Sequence, residues 1–126
     1  MFKRIIITGA PGTGKTSLIN ELRKRGYRCY DEISRQIIIE QQAQGTDKTP
    51  WGDLPTFVDL VYQETLKELD IPVQENTFVD RGLPDCMAYL KAKSYPVPDY
   101  LLDFSYKSYY ETTVYLPPLW EEIYTN

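Results

Sequence analysis

The chain has 126 residues, a hydrophobic content of 42% and a formal net charge of −4. The acidic balance argues against nucleic acid as the main partner, because a phosphate backbone calls for basic surfaces. The sequence contains no histidine, which excludes a histidine general base and any histidine metal site. Acid–base chemistry would therefore fall to carboxylates, lysine or tyrosine.

The length predicts one domain with one core. No apolar run approaches the roughly 20 residues that a membrane span requires, and the N-terminus lacks the apolar stretch of a signal peptide. Cys29 and Cys86 stand far apart and in no metal-binding spacing, so we expect buried, reduced thiols. The expected protein is cytoplasmic and has no membrane span.

The first half of the chain alternates strand and helix signals. Residues 4–8, RIIIT, are almost entirely apolar and predict a strand buried on both faces, as in a parallel sheet. A helix is predicted from about 14 to 25, followed by a short strand at 27–30. Ser34 is suited to cap a further helix that runs to about 44.

The second half continues the same alternation. Asp53 is predicted to cap a helix that runs to about 69. The remaining predictions are a strand at 77–80, a helix at 84–93, a helical segment at 99–109 and a strand at 112–116.

Strands that alternate with helices predict βαβ units and a parallel sheet. In such folds the active site lies beyond the carboxyl ends of the strands. Three of the four predicted strands are followed directly by residues that could bind a ligand or take part in catalysis. These are the glycine-rich loop after Thr8, the pair Asp31–Glu32 and the pair Asp80–Arg81. This convergence predicts a functional site at one edge of the sheet.

Residues 9–16, GAPGTGKT, match the pattern G-x-x-x-x-G-K-[ST] between a strand and a helix. The glycines allow backbone N–H groups to point at phosphate oxygens, and the helix N-terminus adds its positive dipole end. Lys15 would contact the β- and γ-phosphates, and Thr16 would offer a hydroxyl to Mg²⁺. The alternative is a glycine-rich turn without a ligand. The predicted nucleotide-binding residues are Gly9, Ala10, Pro11, Gly12, Thr13, Gly14, Lys15, Thr16 and Ser17.

The residues after the third predicted strand indicate what happens to the phosphate. Neither N-K-x-D nor D-x-x-G of GTPases is present, and Arg81 stands where motor-type ATPases usually carry a water-activating glutamate. An acid followed by an arginine suits phosphoryl transfer to a small acceptor. Asp80 would hold Mg²⁺, directly or through water, and Arg81 would position the acceptor or neutralise charge. The alternative is a surface ion pair at a turn.

Further candidates concern the acceptor. Asp31 and Glu32 could take a proton from an acceptor hydroxyl, and Glu32 is preferred; the alternative is a solvated acidic turn. Arg35 could face the same cleft. Asp85 could cap or contact substrate; equally, it could be an ordinary first-turn acid of the helix at 83–93.

Four segments carry a resemblance to a known family: GAPGTGKTSLINEL, YDEISRQII, FVDRGLPDCMAYL and VYLPPLWEEIYTN. They resemble small P-loop proteins described as predicted ATPases or AAA domains. That group is similar to the ribosylnicotinamide kinase domain of bacterial NAD regulators and, more distantly, to nucleoside and nucleotide kinases. The resemblance covers nearly the whole chain.

The resemblance implies a P-loop NTPase of the three-layer α/β/α class, with a parallel sheet of kinase-like order 2-3-1-4-5. It implies ATP and Mg²⁺ at residues 9–17, with Thr16 and Asp80 near the metal, and it puts Glu32, Arg35 and Arg81 on the acceptor side. In such proteins an arginine-bearing lid, a fifth strand and a final helix follow the fourth strand. We therefore expect residues 1–126 to be a single, C-terminally incomplete domain, whose edge strand favours a homodimer.

The predicted function is transfer of the γ-phosphate of ATP to a hydroxyl of a small, nucleoside-like acceptor. Lys15, Glu32 and Arg81 are the predicted catalytic residues, and Arg35, Arg81 and Asp85 the predicted substrate contacts. A nucleotide-dependent regulatory or binding module and a weak ATPase are the alternatives.

Overall fold

The computed structural model of the chain describes residues 3–9 and 13–116. The described residues form two compact units. The first holds the described residues up to Asp31 together with 73–81 and 107–116, and the second holds 32–72 and 82–106. The elements in chain order are β1 (Arg4–Gly9), α1 (Lys15–Lys24), β2 (Arg28–Tyr30), α2 (Ile33–Gln44), α3 (Leu54–Leu69), β3 (Thr77–Asp80), α4 (Leu83–Ala92), α5 (Asp99–Leu102), α6 (Tyr106–Tyr109) and β4 (Tyr110–Leu116).

The first unit is built on a four-stranded sheet of order β2-β3-β1-β4, in which every pairing is parallel. The central strand β1 carries the isoleucine run, and Ile6 lies opposite Val79 of β3 and Thr113 of β4. Ile6 and Ile7 are successive residues whose side chains point to opposite faces of the sheet, and both are fully buried, as expected of a parallel strand covered on both faces. The predicted α/β class and the strand order 2-3-1-4 are confirmed.

β4 lies at one edge of this sheet, and residues 111–115 are exposed. The strand begins at Tyr110, two residues before the predicted start. A homodimer through this edge stays a prediction. No helix among residues 3–9 and 13–116 is long and apolar enough to cross a membrane.

The second unit is helical, and its core lies between α2, α3 and α4. Leu54, Phe57, Val58 and Val61 of α3 are buried at the spacing of one helix face. Cys86 of α4 joins them, and burial raises the pKa of its thiol to about 12. Both cysteines are free; Cys86 is buried as expected, whereas Cys29 is only half-buried.

Side-chain capping differs between the helices. The side chain of Asp53 accepts a hydrogen bond from the Thr56 N–H at 3.2 Å and another from the Thr56 hydroxyl at 2.6 Å, so its predicted capping role is confirmed. The predicted cap at Ser34 is wrong. α2 begins at Ile33, so Ser34 lies inside its first turn; Glu32 precedes the helix in extended conformation, and no side chain makes a capping bond.

The predicted helical segment at 99–109 is interrupted between α5 and α6. The interruption allows the Phe104 ring to lie 4.8 Å from Tyr106 and 6.3 Å from Tyr62, centroid to centroid. The Tyr106 hydroxyl also donates a hydrogen bond to the Leu101 carbonyl at 3.2 Å. Aromatic packing of this kind is favourable beyond the area it buries, and here it outweighs the continuation of one helix.

The end of α2 provides a stability test. Gly45 has φ 71, and a Cβ built on it would meet no atom within 4 Å, so Gly45→Ala adds backbone strain without a clash. Because a left-handed residue with a side chain costs about 1 kcal/mol, we expect the free energy of unfolding in urea to fall by about that amount. Gly45→Asn should lose less stability than Gly45→Ala, because asparagine tolerates this conformation. Gln44→Ala, at the exposed neighbouring position, serves as control. Equal stability of Gly45→Ala and the unchanged chain would contradict the strain argument.

Candidate functional site

The carboxyl end of β1 is closely packed. A Cβ built on Gly9 would lie 2.8 Å from the Leu116 carbonyl oxygen of β4 and 2.9 Å from the Thr13 hydroxyl oxygen. Real Cβ atoms do not approach backbone oxygen so closely, so this position requires glycine. The predicted nucleotide contacts Ala10, Pro11 and Gly12 lie outside the described residues.

Thr13 is buried, and its hydroxyl has no hydrogen-bond partner among the described residues. A buried hydroxyl without a partner costs free energy, which a bound polar group can offset. Gly14 follows with φ 85 and ψ 12, a left-handed conformation that glycine adopts readily, and α1 begins directly after it. The buried hydroxyl therefore lies beside the amino end of a ten-residue helix.

The amino end of α1 is suited to an anion. No side chain caps it, and its first turn contains no acidic residue. The first N–H groups of a helix have no partner within the helix, and the dipole adds positive potential there. Thr16 and Ser17 are exposed in this turn, so their hydroxyls are accessible to a ligand. Residues 13–17 thus offer donors that fit a phosphate group.

Lys15 and Asp80 contact each other directly. The Lys15 Nζ donates to Asp80 Oδ1, and the two side chains are only 8% and 16% exposed. Asp80 is the last residue of β3 and pairs with Ile7 of β1, which brings it to the carboxyl edge where α1 begins. A buried ion pair leaves an uncompensated charge when one partner is removed. The charge of Lys15, the predicted phosphate contact, and the charge of Asp80, the predicted metal ligand, therefore compensate each other in this structure.

Arg81 follows Asp80 and contacts β1. Its backbone N–H donates to the Ile7 carbonyl at 2.8 Å, and its side-chain Nη2 donates to the Gly9 carbonyl at 2.9 Å. Its φ of 60 is unusual for a residue other than glycine. The sequence predicts that this guanidinium orients an acceptor or a phosphate. In the structure it donates a hydrogen bond to the last residue of β1.

The two acids after β2 differ in environment. Asp31 is 88% exposed on its side chain and accepts a hydrogen bond from Arg23 Nη2 at 2.7 Å. Glu32, in the second unit, has a side chain only 12% exposed, with Arg35 Nη2 at 3.8 Å from its Oε2. Asp31 therefore matches the solvated-turn alternative, whereas Glu32 is the sheltered carboxylate. The role of Glu32 as a base stays a prediction.

Asp85 makes a capping interaction, one of the roles that the sequence predicted for it. Its Oδ2 accepts a hydrogen bond from the Gly82 N–H at 3.0 Å, at the beginning of α4. The structure thus brings Gly9, Thr13, Lys15, Asp80 and Arg81 together in the first unit. The acceptor-side roles of Glu32, Arg35 and Asp85, which belong to the second unit, stay predictions.

The described residues contain no cluster of three or more His, Cys, Asp or Glu side chains that could hold a metal ion. Mg²⁺ commonly takes one or two protein carboxylates and completes its shell with water and substrate phosphate oxygens. The donor set of Asp80 and the Thr16 hydroxyl fits that pattern.

Comparisons with known proteins agree with this architecture. The AAA domain family matches residues 4–126. A solved deoxyadenosine kinase from M. mycoides, with the products dCMP and a flexible dCDP bound, is similar with a TM-score of 0.50 and 23% identity. The likeness covers 90% of this chain and 62% of that one, and it shows a P-loop nucleoside-kinase-like fold. No protein of curated function matches significantly. Because the family match extends over nearly the whole chain, the protein belongs to the AAA domain family of P-loop proteins.

Proposed function

We propose that the chain binds ATP with Mg²⁺ and transfers the γ-phosphate to a hydroxyl of a small, nucleoside-like acceptor. The observation that carries this proposal is the sheltered Lys15–Asp80 pair beside the uncapped amino end of α1. Lys15 there provides a cation for phosphate, and Asp80 provides an acid for metal. Both lie beside helix N–H groups that no side chain caps.

The phosphates would bind at residues 9–17. The N–H groups at the start of α1 and the buried Thr13 hydroxyl would donate hydrogen bonds to phosphate oxygens, and the Lys15 ammonium would neutralise charge on the β- and γ-phosphates. Lys15 now contacts Asp80, so it must exchange that carboxylate for phosphate when the nucleotide binds.

The metal would be held by Asp80 and the Thr16 hydroxyl. When bound, Mg²⁺ supplies positive charge that offsets the charge on the transferring phosphate. Asp80 is suited to this role because the departure of Lys15 to the phosphates would leave its carboxylate sheltered and in need of a cation.

Transfer is favoured over hydrolysis by the residue after Asp80. A glutamate there could activate water, whereas Arg81 is held by the Gly9 carbonyl. The proposed base is Glu32, whose carboxylate would accept the proton of the acceptor hydroxyl, with Arg35 and Asp85 on the acceptor side. A nucleoside-like acceptor is supported by the fold shared with deoxyadenosine kinase and by the resemblance to ribosylnicotinamide kinase domains.

The test is incubation with ATP–Mg²⁺ and a panel of nucleosides that includes deoxyadenosine and nicotinamide riboside. ADP and phosphorylated nucleoside are quantified by chromatography. We expect ADP release to require one acceptor class and to match the phosphorylated product one to one. Controls are the reaction without acceptor and the Lys15→Ala variant.

Two results would overturn the kinase assignment. ADP release that needs Lys15 but no acceptor would identify a weak ATPase. Tight nucleotide binding without turnover on any acceptor would identify a binding or regulatory module.

A further inference from the structure

Arg81 continues the pairing of β3 with β1 after β3 has ended. Its backbone N–H bonds to the Ile7 carbonyl, and its side chain bonds to the Gly9 carbonyl two residues further along β1. In a parallel pair, alternate N–H groups of one strand bond to alternate carbonyls of the next. Two more residues of β3 would have brought a backbone N–H to Gly9, and the guanidinium supplies a donor in its place.

The backbone of Arg81 turns the chain at this point. Its φ of 60 lies in the left-handed region, which is uncommon for arginine and costs free energy. Glycine would adopt this conformation without that cost. A strained residue persists where surrounding contacts determine its conformation, and the bonds of Arg81 to the Ile7 and Gly9 carbonyls are such contacts.

Gly9 is the first residue of the proposed phosphate-binding loop, and it is held from two sides. The guanidinium of Arg81 bonds to its carbonyl, and the Leu116 carbonyl of β4 leaves no room for a Cβ. A loop that binds phosphate through backbone N–H groups works best when its backbone is fixed before the ligand arrives. The carbonyl of Gly9 fixes the direction of the chain where that loop begins.

We propose that Arg81 is a positioning residue for the nucleotide site: it fixes the Gly9 carbonyl and acts through the phosphate-binding loop, not on the acceptor. The inference rests on the proposed nucleotide site at residues 9–17. It separates two roles that the sequence alone assigns to the same guanidinium. A residue that orients the acceptor affects acceptor binding, whereas a residue that orients the loop affects nucleotide binding with no acceptor present.

The test measures ADP affinity without acceptor by isothermal titration calorimetry. Arg81→Gly removes the guanidinium and keeps a φ of 60 accessible. We expect its dissociation constant for ADP to rise about tenfold, in line with the loss of one charge-assisted hydrogen bond. Arg81→Lys keeps a cation with one flexible donor and should give an intermediate value. Ethylguanidine should restore part of the affinity of Arg81→Gly.

The matched control is Arg25→Ala, which removes an exposed arginine after α1, and it should bind ADP as the unchanged chain does. ADP binding by Arg81→Gly at unchanged affinity, with a raised KM for the acceptor, would overturn the positioning role. If Arg81→Gly fails to fold by circular dichroism, Arg81→Lys decides: weaker ADP binding supports the role and unchanged binding overturns it.

Lys15→Ala separates this inference from the proposed function. If the unchanged chain binds ADP and Lys15→Ala does not, the proposed nucleotide site is supported independently of the result with Arg81→Gly. Absence of ADP binding by the unchanged chain would overturn the nucleotide site and the positioning role together.

Discussion

Replacing Lys15 by alanine is expected to lower the affinity for ATP–Mg²⁺ by at least about a hundredfold. Each hydrogen bond from a charged donor contributes about 1.5–3 kcal/mol, and Lys15 would make one to each of two phosphates. Their sum corresponds to a factor of about 100 or more in the dissociation constant, at about 1.4 kcal/mol for each tenfold change. Isothermal titration calorimetry of the purified chains measures the change.

The same substitution should also lower stability, because Asp80 loses the cation that now contacts it. We expect the free energy of unfolding in urea to fall by about 1–3 kcal/mol. Lys24→Ala is the matched control, since Lys24 is an exposed basic residue in the last turn of the same helix. An ATP affinity that is equal in Lys15→Ala and Lys24→Ala would rule out the proposed phosphate contact.

Local sequence signals predicted most of the sheet. The bounds of β3, Thr77–Asp80, match the prediction, since an apolar run is there followed by an acid and an arginine. β1 was equally recognisable, because a run of isoleucines suits a strand that is buried on both faces. The order of the strands came from the resemblance to a family, since pairing between distant segments leaves little trace in local composition.

Helix interruptions were less predictable, because they depend on distant partners. The break between α5 and α6 accompanies the packing of Phe104 against Tyr62, which is more than 40 residues away in the chain. Burial raises the pKa of Tyr106 to about 12, as expected of a phenol enclosed in this cluster. The sequence of residues 99–109 taken alone contains no signal for an interruption of the helix.

In the candidate site, too, local features were predictable from the sequence and contacts between distant residues were less so. The pattern in residues 9–16 located the helix start and Lys15, because the chemistry of that loop is local. The contact of Lys15 with Asp80 joins residues 65 positions apart, and the prediction that both serve one site relied on the convergence of strand ends. The bond from Arg81 to Gly9 was not foreseen. It depends on a left-handed backbone at an arginine, a conformation for which the residue type gives no signal.

Asp80→Asn is expected to abolish most of the effect of Mg²⁺ on nucleotide binding. In the unchanged chain Lys15 must leave the carboxylate before it can reach a phosphate, and without metal that carboxylate would face another negative group. Asparagine has nearly the same shape and no charge, so without Mg²⁺ we expect ADP and ATP to bind as tightly as to the unchanged chain or more tightly. With Mg²⁺ the variant should gain little further affinity.

Turnover distinguishes a metal ligand from a structural partner of Lys15. If Asp80 holds the metal, Asp80→Asn should lower kcat by about a hundredfold or more, corresponding to about 2.7 kcal/mol of lost transition-state stabilisation. Glu75→Gln is the control, because Glu75 is an exposed acid just before β3, at the end of the strand opposite Asp80. If Asp80 only orients Lys15, Asp80→Asn would instead weaken nucleotide binding equally with and without Mg²⁺. That result would exclude Asp80 as a metal ligand, and it would not contradict the proposed contact between Lys15 and phosphate.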